Sequence, residues 1–338
     1  MKIKFRIVLF IILSLFTLQS KAQDPVFTQY SLIPEILNPG FTGFQFDWRA
    51  GLIHRRQWPD GNRVIDTEYG FLNRMVGEKA GLGITFLNQR EVFTKYNYLQ
   101  VNFAYSYKVD INYEWSFRPA IEVGYGRKSY NFQNLLLEDQ INSFTGAINN
   151  SSIDQGVLNQ KNNINFIDIS AGFIIDNESG WFGASLKHLN RPNISFLNEK
   201  NVPLDLFLSI HGGYAFELEN TPSMLFPENT KLLVTANYMR QSQFNRLDIG
   251  TALKFENLSF GATAVINPER KSTYSHFLTS INPFISVHLG NFNLGYSYDF
   301  STSKLGHTQG IHEISLTWQL RFCETCVAKE NKYYDYNK

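Results

Sequence analysis

Apolar and polar side chains alternate along most of this chain with a period of two residues. In the clearest segment, 99–107, one face carries Leu99, Val101, Phe103, Tyr105 and Tyr107. The other face is small and polar, with Gln100, Asn102, Ala104 and Ser106. Such alternation predicts β-strands. A small, polar second face is typical of a transmembrane β-barrel with a wet interior, although the strands of a soluble sandwich also alternate.

The alternation divides the chain into about fourteen strands, an even number, as in single-chain bacterial barrels. We predict them at 46–56, 63–73, 79–89, 96–109, 113–126, 163–176, 181–190, 204–219, 231–240, 243–255, 258–267, 277–289, 291–300 and 311–322. In lipid an unpaired sheet edge costs several kcal/mol per backbone group, so the first strand must pair with the last. The predicted fold is all-β, an antiparallel transmembrane barrel with periplasmic N- and C-termini.

The connections between the predicted strands alternate in length, as expected for short periplasmic turns and longer outer loops. The longest, about 127–162, is rich in Asn, Gln and Ser. Two connections break the rule, since 219–230 is long for a periplasmic turn and 241–242 is short for an outer loop.

The one long apolar run lies at the start of the chain. Lys2, Lys4 and Arg6 precede an apolar stretch at 7–18, and small residues surround Ala22. This pattern predicts a secretory signal peptide. We therefore expect a signal peptide at 1–22, a periplasmic or plug segment at 23–45, the barrel at 46–322 and a periplasmic tail at 323–338.

Composition agrees with a barrel and disfavours several other classes. There are 31 Lys+Arg against 30 Asp+Glu, a net charge of +1, which gives no electrostatic footprint for nucleic acid. Charged residues make up 18% and aromatic residues 15% of the chain. A mean hydropathy of −0.23 does not suit a helical membrane protein, which needs runs of about 20 apolar residues.

Motifs for enzymatic chemistry are missing from the sequence. It contains no phosphate-binding loop, no His-Glu-x-x-His and no Gly-x-Ser-x-Gly. The seven histidines are scattered, so we predict no catalytic residues, no metal site and no cofactor. A Ser/His/acid site assembled from distant strands stays open as an alternative. The two cysteines, Cys323 and Cys326, are expected to be a tail thiol pair or a small disulfide rather than a redox centre.

Several charged residues occupy positions that would face the barrel interior. By parity they are Arg118, Glu122, Asp168, Asp205, Glu217, Arg246 and Asp248. They would either line an ion pore or, as we prefer, form a charge network that braces the wall. Fourteen strands enclose a lumen too wide for side chains alone, so the lumen either conducts or is plugged. The N-terminal segment and the 127–162 loop are the candidate plugs.

Two separated motifs resemble the PorP/SprF family of Bacteroidetes outer-membrane proteins. One is Gln-Asp-Pro-Val-Phe-Thr-Gln-Tyr at 23–30 followed by Asn-Pro-Gly-Phe-Thr-Gly at 38–43. The other is the last hairpin, 295–305 with 310–316, and the segment 188–193 also fits. In the usual family pattern Ser stands at position 28 and Ala at position 40.

The resemblance implies a non-enzymatic part of the type IX secretion and gliding apparatus. Such a barrel helps to export or hold a large adhesin-like cargo through the cargo's C-terminal domain, together with periplasmic or outer-membrane components of the system. We expect outer loops such as 127–162 and 191–203 to contact the cargo. The N-terminal motif would bind a partner on the periplasmic side or fill the lumen; its residues are Asp24, Pro25, Phe27, Gln29, Tyr30, Asn38, Pro39 and Phe41. A porin or solute transporter is the alternative function.

Overall fold

The computed structural model describes residues 24–44, 48–59, 63–130, 138–142, 145, 147–148, 160–198, 200–218, 230–269, 276–302 and 310–320. Nearly all of its regular structure is β, which confirms the predicted fold class. The strands are β1 (Trp48–Gln57), β2 (Ile65–Val76), β3 (Ala80–Glu91), β4 (Asn97–Tyr107), β5 (Val109–Asp110), β6 (Ser116–Ser129), β7 (Asn163–Asp176), β8 (Gly180–Lys187), β9 (Phe207–Glu217), β10 (Lys231–Gln241), β11 (Phe244–Phe255), β12 (Leu258–Ile266), β13 (Leu278–Leu289), β14 (Phe292–Ser301) and β15 (Ile311–Leu320). Among the described residues there are also three short 3-10 helices, at Pro34–Ile36, Pro39–Phe41 and Glu138–Gln140. No helix among these residues is long and apolar enough to cross a membrane.

The sheet closes on itself, because β1 pairs with β15 from Trp48↔Leu320 to Gln57↔Ile311. Every neighbouring pair is antiparallel and follows chain order. The two-residue β5 continues β4 and pairs only with β6, so the wall consists of fourteen strands, as predicted. Each strand of the wall is thus paired with a neighbour on both sides along at least part of its length, and such closure is the condition for a barrel in lipid.

Exposure follows the predicted parity of the strands. On β4 the side chains of Phe103 and Tyr105 point outward and are 57% and 40% exposed, whereas Gln100 and Ser106 point inward and are buried. On β15, likewise, the apolar side chain of Ile314 is exposed on the outside and the polar side chain of Ser315 is buried inside. An apolar outer belt around a polar interior is the surface that a lipid bilayer requires.

The two ends of the barrel differ. We call the end with the connections at 92–96, 130–162 and 188–206 the loop end. The opposite, turn end carries the tight connections at 77–79 and 290–291. Gly77 and Gly290 have φ of +66° and +62° there, a conformation that glycine adopts at little cost.

Several strand boundaries differ from the predicted ones. The strand predicted at 204–219 begins only at Phe207, because Leu204 is buried against Ile164 and Phe166 within the β8–β9 loop. The strand predicted at 113–126 runs instead from Ser116 to Ser129. Alternation continues through such loop residues, so periodicity alone does not locate the ends.

Candidate functional site

Residues 24–44, which we call the lumen segment, lie inside the barrel. Their buried atoms bond to strands on all sides of the closed wall. The partners on the wall are Arg49 of β1, Ser106 of β4, Ser185 of β8, Asn282 of β13, Ser297 of β14 and Glu313 of β15. A segment that contacts opposite strands of a closed sheet from buried positions must occupy its interior. Pro25, Pro34 and Pro39 favour the irregular backbone found there.

The lumen segment runs from the loop end to the turn end. Asp24 bonds to Gln241, the last residue of β10, at the loop end. Gly43 packs against Arg74 and Gly81 beside the turn end, where β1 then begins. Residue 24 therefore lies at the loop end and residue 320 at the turn end. The termini themselves lie outside the described residues, so their periplasmic location stays a prediction.

A buried histidine holds the segment at the loop end. His188 Nε2 lies 2.6 Å from Asp24 Oδ2, and its Nδ1 lies 2.9 Å from Asp168 Oδ1. Burial alone would lower the pKa of His188, but the charge of Asp24 and the hydrogen bonds to both carboxylates outweigh it and raise the pKa to about 9. Burial also opposes ionisation of Asp24, yet the cation at His188 keeps the pKa of Asp24 well below its usual value. The segment is thus fixed by a charged imidazolium between two carboxylates.

A second anchor lies on the closing strand. The carboxylate of Glu313 accepts hydrogen bonds from the backbone N–H groups of Thr28, at 3.0 Å, and Gln29, at 3.1 Å. It also forms an ion pair with Arg55 of β1, and Asp299 of β14 lies 3.2 Å from the same guanidinium. Glu313 is fully buried, so this cluster ties β1, β14, β15 and the lumen segment together.

A third anchor lies farther along the segment, at Asn38. Its Nδ2 donates to the carbonyls of Phe173 at 2.9 Å and Ala184 at 3.0 Å, which belong to adjacent strands. Its Oδ1 accepts from Gly40 N–H at 2.8 Å and caps the 3-10 helix Pro39–Phe41. Asn38 thus uses both ends of its amide, one on the barrel wall and one on its own helix.

Apolar contacts complete the packing of the segment. Ile33 is wholly buried and clusters with Phe27, Ile53 and Phe71. Nearer the turn end, Phe41 clusters with Phe44, Ile174 and Trp181, and the third cluster holds Tyr30, Leu37, Phe207 and Met239. An interior that is polar on average therefore contains apolar patches where the lumen segment rests.

The predicted lumen charges are partly paired. Arg246 Nε lies 2.7 Å from Asp248 Oδ1, and Arg118 Nε lies 3.2 Å from Asp176 Oδ1. Glu122 is buried on the inward face of β6.

Two of the predicted charges lie elsewhere. Asp205 precedes β9 and sits in the loop, 3.5 Å from Arg191, so it is not a wall residue. Glu217, near the turn end of β9, is exposed.

The residues of the N-terminal motif are engaged with the barrel itself. Phe27 and Phe41 are only 2% and 1% exposed. The role of this motif in partner binding stays a prediction. Cys323 and Cys326 lie outside the described residues.

The side-chain groups that could support catalysis or hold a metal ion do not form a convincing site among the described residues. Ser209 Oγ lies 3.1 Å from His211 Nδ1, but both residues are buried, and the amide of Asn38 sits 3.3 Å from Nε2. Within the described part of the chain, no group of His, Cys, Asp and Glu is placed to hold a metal ion.

Sequence reasoning missed the Glu313 cluster. Glu313 shares the inward parity of Ser315 and Thr317 on the last strand, and that signal was available. Its partner Arg55 comes from the first strand, so only the pairing of β1 with β15 brings the charges together.

The family model described as type IX secretion system membrane protein PorP/SprF matches residues 19–318. This chain belongs to the PorP/SprF family. The match covers nearly the whole chain and confirms the resemblance seen in the two motifs. Membership of this family, together with the apolar outer belt of the barrel, places the protein in the outer membrane. The comparison with curated protein sequences gives no match.

Solved structures similar to this PorP/SprF member are also barrels. The Ralstonia pickettii toluene transporter TbuX matches with a TM-score of 0.51 and 10% identity, over 86% of this chain and 94% of that one. A deletion mutant of the monoaromatic hydrocarbon channel TodX matches with the same TM-score and identity, over 85% and 94% of the two chains. At this identity the likeness shows the fold alone.

Proposed function

We propose that this barrel is a non-enzymatic component of type IX secretion that helps to export or attach one large, adhesin-like surface protein. It would bind the C-terminal domain of that cargo at the loop end, link the cargo to periplasmic machinery, or do both. Family membership supports the secretion role. The position of the lumen segment inside the barrel favours this role over a diffusion pore and is the observation that carries the proposal.

The lumen segment occupies the route that a solute would take through the barrel. Its apolar side chains, Ile33 and Phe41 among them, are buried against the wall. The anchors at Asp24, Glu313 and Asn38 bond it to the barrel near the loop end and farther along the lumen. Releasing it would break several buried hydrogen bonds, each worth about 1 kcal/mol or more.

The loop end offers a structured platform for a protein partner. In the β8–β9 loop, Ile194 N–H donates to the carbonyl of Val202 at 2.9 Å, and Asn193 Oδ1 accepts from Val202 N–H at 2.9 Å. Val202 is 46% exposed, and Leu189 nearby is 41% exposed. Ordered loops with exposed apolar side chains among polar ones are suited to binding another protein.

The test is deletion of the gene followed by proteomics of the cell surface. We expect selective loss of one large surface protein, restored by the full chain. A variant with residues 191–198 replaced by Gly and Ser should assemble but fail to restore it. A matched replacement of the turn-end residues Glu256 and Asn257 should restore it. An unchanged surface proteome would overturn the proposal.

A porin or solute transporter is the second candidate, favoured by the printed descriptions of TbuX and TodX as a transporter and a channel. It predicts steady conductance of the intact chain in a planar bilayer. We expect the intact chain to stay closed and a variant lacking residues 24–43 to conduct. If the variant lacking residues 24–43 still exports the cargo, the N-terminal motif has no partner-binding role in export.

A further inference from the structure

The half of β7 nearest the loop end has a paired neighbour on only one side. β7 pairs with β6 along its whole length, from Ser129↔Asn163 to Ser116↔Asp176. Its pairing with β8 starts only at Ala171↔Leu186, because β8 ends at Lys187. Residues 163–170 therefore form a strand edge that rises above the end of β8.

Hydrogen bonds next to this edge show which backbone groups face it. Leu189 N–H donates to the carbonyl of Ile169 at 2.8 Å, and Ile169 N–H donates to Asn190 Oδ1 at 3.1 Å. Asn190 Nδ2 donates to the carbonyl of Ile167 at 2.7 Å, so one side-chain amide imitates a neighbouring strand. Since N–H and C=O of alternate residues point the same way in an antiparallel strand, the odd-numbered residues of β7 face the edge.

Three edge residues have a backbone N–H group without a partner on this side, although the carbonyl of Ile167 accepts from Asn190. Above them, Lys161 N–H donates to the carbonyl of Phe196 at 2.8 Å, and below them Asn190 ends the contacts. In between, the backbone N–H groups of Asn163, Asn165 and Ile167 have no hydrogen-bond partner among the described residues.

The edge is reachable from outside but not from the lumen. The side chains of Asn163, Asn165 and Ile167 are exposed. Their inward neighbours Ile164 and Phe166 are buried against Leu204.

The surroundings of the edge are basic. Arg127 lies beside Asn165 in register and is exposed, as is Lys161. The side chain of Arg191 is half exposed, with Asp205 at 3.5 Å from it. An open ladder flanked by cations suits an extended peptide that carries acidic side chains.

We propose that the β7 edge, residues 163–167, is where a partner protein adds a short extended segment as an extra strand. The inserted stretch is about five residues long, with acidic residues beside it. The inference rests on the proposed function, since it names the surface that holds the cargo. The added strand supplies the hydrogen-bond partners that the wall lacks at this point.

Proline at one edge position tests the proposal. Asn165→Pro removes an N–H that points away from β6, so the barrel loses no ladder bond. Asn165→Ala removes the side chain and keeps the N–H. In the deletion strain we expect the Pro variant to retain at least tenfold less of the lost surface protein than wild type, and the Ala variant to stay within twofold. Unboiled gel mobility of both variants verifies that each barrel is folded.

Equal retention by the Pro and Ala variants would overturn the proposal. Amide exchange gives a second readout that does not depend on the identity of the cargo. The N–H groups of Asn163, Asn165 and Ile167 should exchange at least tenfold more slowly in native outer membranes than in the purified barrel. Equal rates would refute strand addition, and protection in the purified barrel that disappears on dilution would mean a second copy sits there instead. If deletion of the gene removes no surface protein, the proposed function fails while the exchange data still judge the edge.

Discussion

Removal of the Glu313 carboxylate should loosen the lumen segment and the barrel closure together. Taking one partner from a buried ion pair costs roughly 3–5 kcal/mol. Each orphaned N–H, here of Thr28 and Gln29, adds about 1–3 kcal/mol. These costs do not add in full, because Asp299 still lies 3.2 Å from Arg55 and water enters the vacated space.

We therefore expect Glu313→Ala to lower the free energy of unfolding by about 3 kcal/mol. Glu313→Gln keeps one acceptor oxygen for the segment and should lose about 1–2 kcal/mol. The measurement is urea unfolding of the barrel in detergent micelles, followed by tryptophan fluorescence and by unboiled gel mobility.

The matched control is Glu178→Ala, which removes an exposed carboxylate in the β7–β8 turn. It should change the free energy of unfolding by less than about 0.5 kcal/mol. If Glu313→Ala and Glu178→Ala have the same effect, the carboxylate of Glu313 does not hold the closing strand and the reasoning is refuted.

Three further predictions concern the other anchors. The raised pKa of His188 contributes stability that is complete below about pH 6.5 and is lost as the pH rises through about 9. A His188→Gln variant should therefore lose this alkaline decrease in the free energy of unfolding. An unchanged pH profile of unfolding would contradict the role of His188. Asn38→Ala should cost about 2–3 kcal/mol in the same urea assay, because two strand carbonyls and Gly40 N–H lose their partner. A Cβ at Gly81 would lie 2.2 Å from the carbonyl oxygen of Thr42, so Gly81→Ala should lower the free energy of unfolding by about 1–3 kcal/mol. Gly70→Ala is the control and should be close to neutral, because no atom lies nearer than 3.5 Å to a Cβ there. Equal losses of stability would show that the lumen segment does not pack tightly against β3.

The sequence predicts the wall well, because one face of every strand meets lipid and the other does not. Period-two alternation is a local property, so the segment around Phe103 predicts which of its side chains face outward and which face inward without knowledge of the rest of the chain. The pairing of the first strand with the last follows from closure, because an unpaired backbone N–H or C=O group is costly in lipid.

The interior of the barrel was harder to predict, because it depends on contacts between residues far apart in the chain. Thr28 and Glu313 are separated by 285 positions, and Asp24 and His188 by 164. Nothing near Asp24 indicates that its partner is an imidazole. The aromatic, Pro-punctuated composition of 23–45 favours a non-strand segment but suits a lead-in to β1 as well as a plug. Asp205 was placed on the wall because the alternation begins at residue 204, whereas the strand itself begins only at Phe207.

The direction of the lumen segment constrains how the molecule is built. The chain enters at the loop end beside His188, descends through the interior and only then turns into β1. Glu313, on the final strand, grips both that descending backbone and Arg55 of the first strand. Because one carboxylate on the last strand holds both, the seam of the barrel and the segment inside it form a single structural unit in the folded protein.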